Sequence, residues 1–179
     1  PMTHSVAIPT TPRPRDVQIA EVGPGTQVLR SRTWDRLKFE VEYGRRRGTT
    51  ANAYLIRSDK TAIIDPPGES FTTIYLESLQ QQVSLNEIDY IITGHVNSNR
   101  RTTLEQLRKL APQAQVVCSR PAANALQTAS PLWAGAVESV RAGDSLDLGQ
   151  GHCLEFIPVP TPRWPDGLCT YDPATQILY

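Results

Sequence analysis

Hydrophobic and polar positions change their period once along this chain, near residue 70. Before that point, Val17–Val22, Gln27–Thr33, Leu37–Tyr43, Ala51–Arg57 and Thr61–Ile64 alternate or run apolar with β-branched enrichment, which predicts consecutive antiparallel strands. Ser58-Asp59-Lys60 suits a hairpin loop, and Asp65-Pro66-Pro67-Gly68 stops the strand before it. Beyond it, Ile74, Tyr75, Leu79 and Val83 share one face of a helix predicted over Phe71–Gln82, and Ile88–Thr93 reads as a short buried strand. Thr102 or Thr103 is placed to cap a helix through Leu104, Leu107 and Leu110 that ends before Pro112. Gln115–Cys118 is a further buried strand, Pro121–Thr128 a short helix, and Val137–Arg141, Cys153–Val159, Leu168–Tyr171 and Gln176–Tyr179 the remaining strands. A meander followed by alternating helices and strands predicts a layered α/β domain with mixed sheets over residues 17–179. Residues 1–16, with Pro9, Pro12 and Pro14 among small polar residues and His4, read as a flexible lead-in.

Composition narrows the partners more than the fold. With 179 residues, 39% hydrophobic and 20% charged, the chain suits one soluble globular domain or a fragment of a larger one. A formal charge of zero offers no footprint for nucleic acid or an anionic membrane, and Arg45-Arg46-Arg47 reads as a solvated turn. No stretch has the apolar length of a membrane span and the start lacks the core of a signal peptide, so a cytoplasmic location is expected. Cys118, Cys153 and Cys169 show no Cys-x-x-Cys pairing, which predicts reduced, mostly buried thiols. The Asp172-Pro173-Ala174-Thr175 turn leads into a strand in which the chain stops, so an incomplete domain is expected.

Three segments carry a family resemblance. Gly48-Thr49-Thr50-Ala51-Asn52-Ala53-Tyr54-Leu55-Ile56 with Ala62-Ile63-Ile64-Asp65 is similar to the opening hairpin of flavodiiron proteins in the metallo-β-lactamase superfamily. Tyr90-Ile91-Ile92-Thr93-Gly94-His95-Val96-Asn97-Ser98-Asn99-Arg100 stands where that family has a strand running into a His-x-Glu-x-Asp-His loop. The most specific match is Leu154–Pro160, then Arg163-Trp164-Pro165-Asp166, then Thr170-Tyr171-Asp172-Pro173, resembling the family's apolar strand, His-Trp-Pro-Asp turn and Thr-Tyr hairpin. The fold implied is a metallo-β-lactamase-like αββα sandwich with mixed sheets.

An extended loop would aim His95, Asn97 and Asn99 into one pocket, with Arg100 beside them. A di-iron site needs imidazole and carboxylate donors, yet by this resemblance Asn97 replaces a Glu, Asn99 an Asp, Arg100 a His, and Arg163 the His of the His-Trp-Pro-Asp turn. His95 alone keeps the family's ligand type among these positions. The exchange swings local charge by about four units, and each like-charge contact at ~4 Å costs on the order of 4 kcal/mol at an effective dielectric near 20. No metal is therefore expected at His95, Asn97, Asn99, Arg100 and Arg163; these donors suit water or a small anion such as chloride. Blander readings make His95 a hydrogen-bonded wall residue, His152 a turn residue, Trp164 a core residue, and Asp65 and Asp166 partners of the arginines, with Asp166 alternatively the cap of its own turn.

The resemblance also implies features outside this stretch: a flavodoxin-like domain holding FMN, a C-terminal NAD(P)H:flavin oxidoreductase domain as in cyanobacterial forms, and a homodimer or a heteromer with a related flavodiiron protein. The implied activity is electron transfer from NAD(P)H through flavin to oxygen, giving water and protecting the photosynthetic chain. Two alternatives stand beside it: a catalytically silent platform for a ligand-complete paralogue, and a metallo-β-lactamase-like hydrolase.

Overall fold

The computed structural model describes residues 14–35 and 48–179. The strand expected at 37–43, the Arg45–Arg47 turn, His4 and most of the lead-in lie outside the described residues. The described chain runs β1 (Asp16–Gly23), β2 (Thr26–Thr33), β3 (Thr49–Arg57), β4 (Thr61–Ile64), α1 (Thr72–Gln82), β5 (Tyr90–Ile92), α2 (Ser98–Leu110), β6 (Gln115–Ser119), α3 (Arg120–Ala129), β7 (Val137–Val140), β8 (Ser145–Asp147), β9 (Cys153–Pro158), β10 (Leu168–Asp172) and β11 (Ile177–Leu178). Strands β1 to β7 lie side by side in chain order, and β8 to β11 form a second, four-stranded sheet. Neighbours from β1 to β4 are antiparallel and those from β4 to β7 parallel, so the change of period near residue 70 is also a change of sheet geometry. Helical crossovers are what parallel neighbours require.

The continuous apolar runs are explained by burial on both faces. In β3 to β6, Ala53, Leu55, Ile63, Ile91, Val116 and Cys118 pack toward the helices with Tyr75, Leu79, Leu104, Leu107, Leu126 and Trp133. The residues between them, Ile56, Ala62, Ile64, Ile92 and Val117, pack against Leu148, Leu154, Phe156 and Leu168 of the second sheet and its loops. Successive side chains on a strand point to opposite faces, so one strand feeds both cores. Fully burying each Leu or Ile stabilises by about 1.5–3 kcal/mol. Among the described residues the layers are helix, mixed sheet and antiparallel sheet, a mixed α/β architecture with the expected sheet pair.

Several local expectations are corrected. Helix α2 begins at Ser98, and its cap is Asn97, five or six residues before the predicted caps, accepting from the Arg100 amide. Thr103 is buried and its hydroxyl meets that of Thr72 at 2.7 Å, tying α2 to α1 rather than ending a helix. Strand β8 was not expected, because Ser145-Leu146-Asp147 offers one apolar residue; its pairing with β9 forms it. Only Cys118 of the three thiols is buried, Cys153 being exposed and Cys169 intermediate.

Candidate functional site

The loops after β4, β5 and β6 converge with the β9–β10 loop at the carboxyl ends of the parallel strands, where α/β sheets place their crevice. Asp65 follows β4 directly, Gly94 to Asn97 follow β5, and Ser119 closes β6. Asp65 has a left-handed backbone (φ 53°), uncommon for a residue other than glycine. Its amide donates to the Ile92 carbonyl (2.9 Å) and its carboxylate accepts from the Gly94 amide (2.8 Å), which links the two loops. Gly94 is held from its other side: its carbonyl accepts from the Leu168 amide (2.9 Å), and a Cβ on it would lie 2.6 Å from the Leu168 carbonyl oxygen. No side chain fits there.

His95 presents its Nδ1 to Asp166 Oδ1 at 2.8 Å, and the Val96 amide donates to Asp166 Oδ2 at 2.7 Å. Asp166 is buried, and its backbone carbonyl accepts from the Ser119 hydroxyl (2.8 Å). That hydroxyl also accepts from the Ala122 amide as the cap of α3. One carboxylate thus anchors the His95 loop, while the residue's main chain is fixed by the end of β6. Asp166 was expected to pair with an arginine or to cap its own turn; its carboxylate instead meets His95 and the Val96 amide.

The remaining positions do not line up as an extended loop would place them, because the helix begins within the motif. Asn97 Oδ1 accepts from the Arg100 amide (2.8 Å) while its Nδ2 stands 3.5 Å from His95 Nε2. Asn99, already inside α2, turns toward the single helical turn at Glu69–Phe71 and accepts from the Glu69 amide (2.8 Å). Gly68 makes room for it, since a Cβ there would fall 2.6 Å from Asn99 Oδ1. The Arg100 guanidinium reaches Asp65 at 3.7 Å. Arg163 is exposed and stacks over Trp164 at 5.9 Å from the ring centre. Trp164 is 52% exposed and lies against His95, ring centres 5.2 Å apart. It is therefore a rim residue, not the core residue expected.

Two buried groups below the loops take their character from burial, with these carboxylates adding to it. Burial, reinforced by Asp65, pushes the Tyr75 phenol far above its ordinary range. Burial first, then Asp166, pushes the Cys118 thiol up to about 12, so it is an inert wall group.

Two irons require several imidazole and carboxylate donors with free lone pairs. The substituted positions supply two carboxamides, whose oxygens already accept backbone N–H groups, and two guanidinium groups, which have no acceptor. Both Asp166 oxygens are engaged, by His95 and Val96, and Asp65 holds Gly94 and Arg100. Among the described residues no three His, Cys, Asp or Glu side chains form a metal-holding group. The donor set at this loop does not fit a di-iron centre.

A family model described as ODP family beta lactamase matches residues 49–179. The chain belongs to this family. This ODP domain is 65% identical over 174 residues to diflavin flavoprotein A 4 of Nostoc sp. PCC 7120, across 97% of the chain and 30% of that protein. It superposes on a crystal structure of a fragment of diflavin flavoprotein A 5 from the same organism with a TM-score of 0.87 and 54% identity, covering 93% of this chain and 66% of that one. The metal-soaked Flv1 flavodiiron core from Synechocystis sp. matches with a TM-score of 0.84 and 55% identity, over 92% of this chain and 41% of that one. The ODP domain thus spans under a third of the first of these relatives. No described helix is long and apolar enough to cross a membrane.

Sequence reasoning singled out His95, Asn97, Asn99 and Arg100 after β5 and Arg163 in the β9–β10 loop, and gave no role to Gly94 or Ser119. The tight strand-to-loop passage of Thr93-Gly94-His95 was the available signal for the glycine. Nothing local marked Ser119, whose partner lies 47 residues away.

A second pair lies outside the motif. His152, expected as a turn residue, is buried with Nδ1 at 2.7 Å from Asp172 Oδ2. Asp172 also accepts from the Ala174 amide and the Thr175 hydroxyl, each at 3.0 Å.

Proposed function

We propose that this domain is part of a flavodiiron oxidoreductase that passes electrons from NAD(P)H through flavin to oxygen, giving water, and that its own former metal pocket holds no iron. The observation that carries the reading is the commitment of the donors: Asn97 and Asn99 cap helical turns, Arg100 pairs with Asp65, and Asp166 holds His95. Water or a small anion such as chloride matches the amide and guanidinium donors left over. Oxygen chemistry at a di-iron centre would then come from a ligand-complete relative in a heteromer, with this domain as a docking platform; a homodimer would have to reduce oxygen at its flavins. Hydrolysis needs a metal-activated water, and the same donor set disfavours it.

The test uses the whole protein purified from its native cell. Iron is expected at background by elemental analysis, and NAD(P)H-dependent oxygen uptake is expected to rise when a ligand-complete relative is added. Two irons per chain, with oxygen uptake that follows iron content, would overturn the reading.

A further inference from the structure

We infer that Asn97 is the keystone of a metal-independent lock, in which the residues standing at ligand positions hold the loop in place of a metal. The inference rests on the reading that the pocket holds no iron, and adds what replaces it. A loop that brings His95 and α2 together has to be held by something, since ordering backbone costs about 1–2 kcal/mol per residue.

Asn97 does two things at once. Its oxygen is fixed by the Arg100 amide at 2.8 Å, so its nitrogen is the atom left facing His95 Nε2 at 3.5 Å. An amide nitrogen only donates, so Nε2 is the accepting atom and Nδ1 carries the proton toward Asp166, 2.8 Å away. The 3.5 Å separation is long for a hydrogen bond, so the cap and the Asp166 contact supply the strength. A glutamate at position 97 would be too long for the capping geometry and would set an acceptor against Nε2.

The neighbouring positions extend the lock to separate elements. Asn99 fastens α2 to the turn at Glu69–Phe71, packed where Gly68 has no side chain. Arg100 reaches the end of β4 through Asp65, which in turn holds the Gly94 amide. Asp166 brings in the β9–β10 loop through His95 and Val96. The contacts of Asn97, Asn99 and Arg100 come from side chains standing where the resemblance puts metal ligands, and none of them involves a cation other than the Arg100 guanidinium.

Hydrogen exchange of the peptide over 98–104, measured by mass spectrometry in the full-length flavoprotein, tests this. In the unaltered protein, exchange is expected to be the same with chelator and with added ferrous iron. Asn97→Ala should speed exchange in the first turn of α2 about fivefold, the loss typical of an N-cap, and Asn97→Asp, which still caps, should leave it near the unaltered rate. Asn97→Glu should exchange as fast as Asn97→Ala, with or without ferrous iron. Protection of the unaltered protein by iron, recovery of Asn97→Glu by iron, an unchanged Asn97→Ala, or an Asn97→Asp as fast as Asn97→Ala would each overturn the lock. An iron-free protein whose Asn97→Ala exchanges normally would sink the lock and leave the empty pocket standing.

Discussion

Among the described residues two histidine–aspartate pairs have nearly the same length, and they do different work. His95 meets Asp166 at 2.8 Å with side chains 21% and 10% exposed, whereas His152 meets Asp172 at 2.7 Å with side chains 4% and 0% exposed. The first sits at the carboxyl ends of the parallel strands, with Trp164 and Asn97 against its imidazole. The second lies in the loop before β9 and at the end of β10, where its carboxylate also gathers the turn that follows. The lesson is that the imidazole–carboxylate contact carries no functional meaning of its own. Exposure and the free ring nitrogen decide whether such a pair borders a pocket or pins the fold.

The largest effect that distinguishes them is on stability. Asp172→Ala strips acceptors from His152, Ala174 and Thr175 in a fully buried place and is expected to cost about 3–5 kcal/mol, seen as a lowered denaturation midpoint of the whole protein. Asp166→Ala, at the more open pair, should cost about 1.5–3 kcal/mol and should loosen exchange at His95 and Val96 in particular. If the two substitutions lower the midpoint equally, or if the second lowers it more, the division between a pinning pair and a pocket pair fails.

How much of this was legible in the chain depends on how far apart the partners lie. The core strands were readable because β3 to β6 are apolar on both faces, and the hairpin loop at Ser58–Lys60 announced itself. The loop from Gly94 to Arg100 was found through its likeness to a ligand motif, and that likeness also misled. Reading Asn97 as a lost ligand hid its propensity as a helix cap, so the cap of α2 was set five or six residues late. Asn99 was expected to face the pocket by strand alternation, which stops where helical geometry begins at Ser98. His152 could not be assigned from sequence, because Asp172 stands twenty residues on and only the pairing of β9 with β10 brings them close. Trp164 looked like core by its apolar type, but three prolines at 160, 162 and 165 keep its loop on the surface.

A smaller prediction concerns Asp16 at the sheet edge. Arg32 hydrogen bonds hold the Asp16 carboxyl below its usual 3.8. A depressed carboxylate adds stability that is complete above its unfolded value and fades as pH falls through the folded one. The midpoint difference between the unaltered protein and Asp16→Asn should thus be constant from pH 7 to 5 and shrink below about pH 4. It should be slight, since both side chains are substantially solvated. A difference that grew in acid would contradict the assignment.

Gly94 carries one last consequence. Its amide, its carbonyl and the space above its α-carbon are all spoken for, by the Asp65 carboxylate and the Leu168 main chain, so this point of the frame does not depend on any residue standing at a ligand position. Exchanges of carboxylate for amide or imidazole for guanidinium around it leave the contacts of this glycine in place. A site built this way can lose its chemistry without losing its architecture.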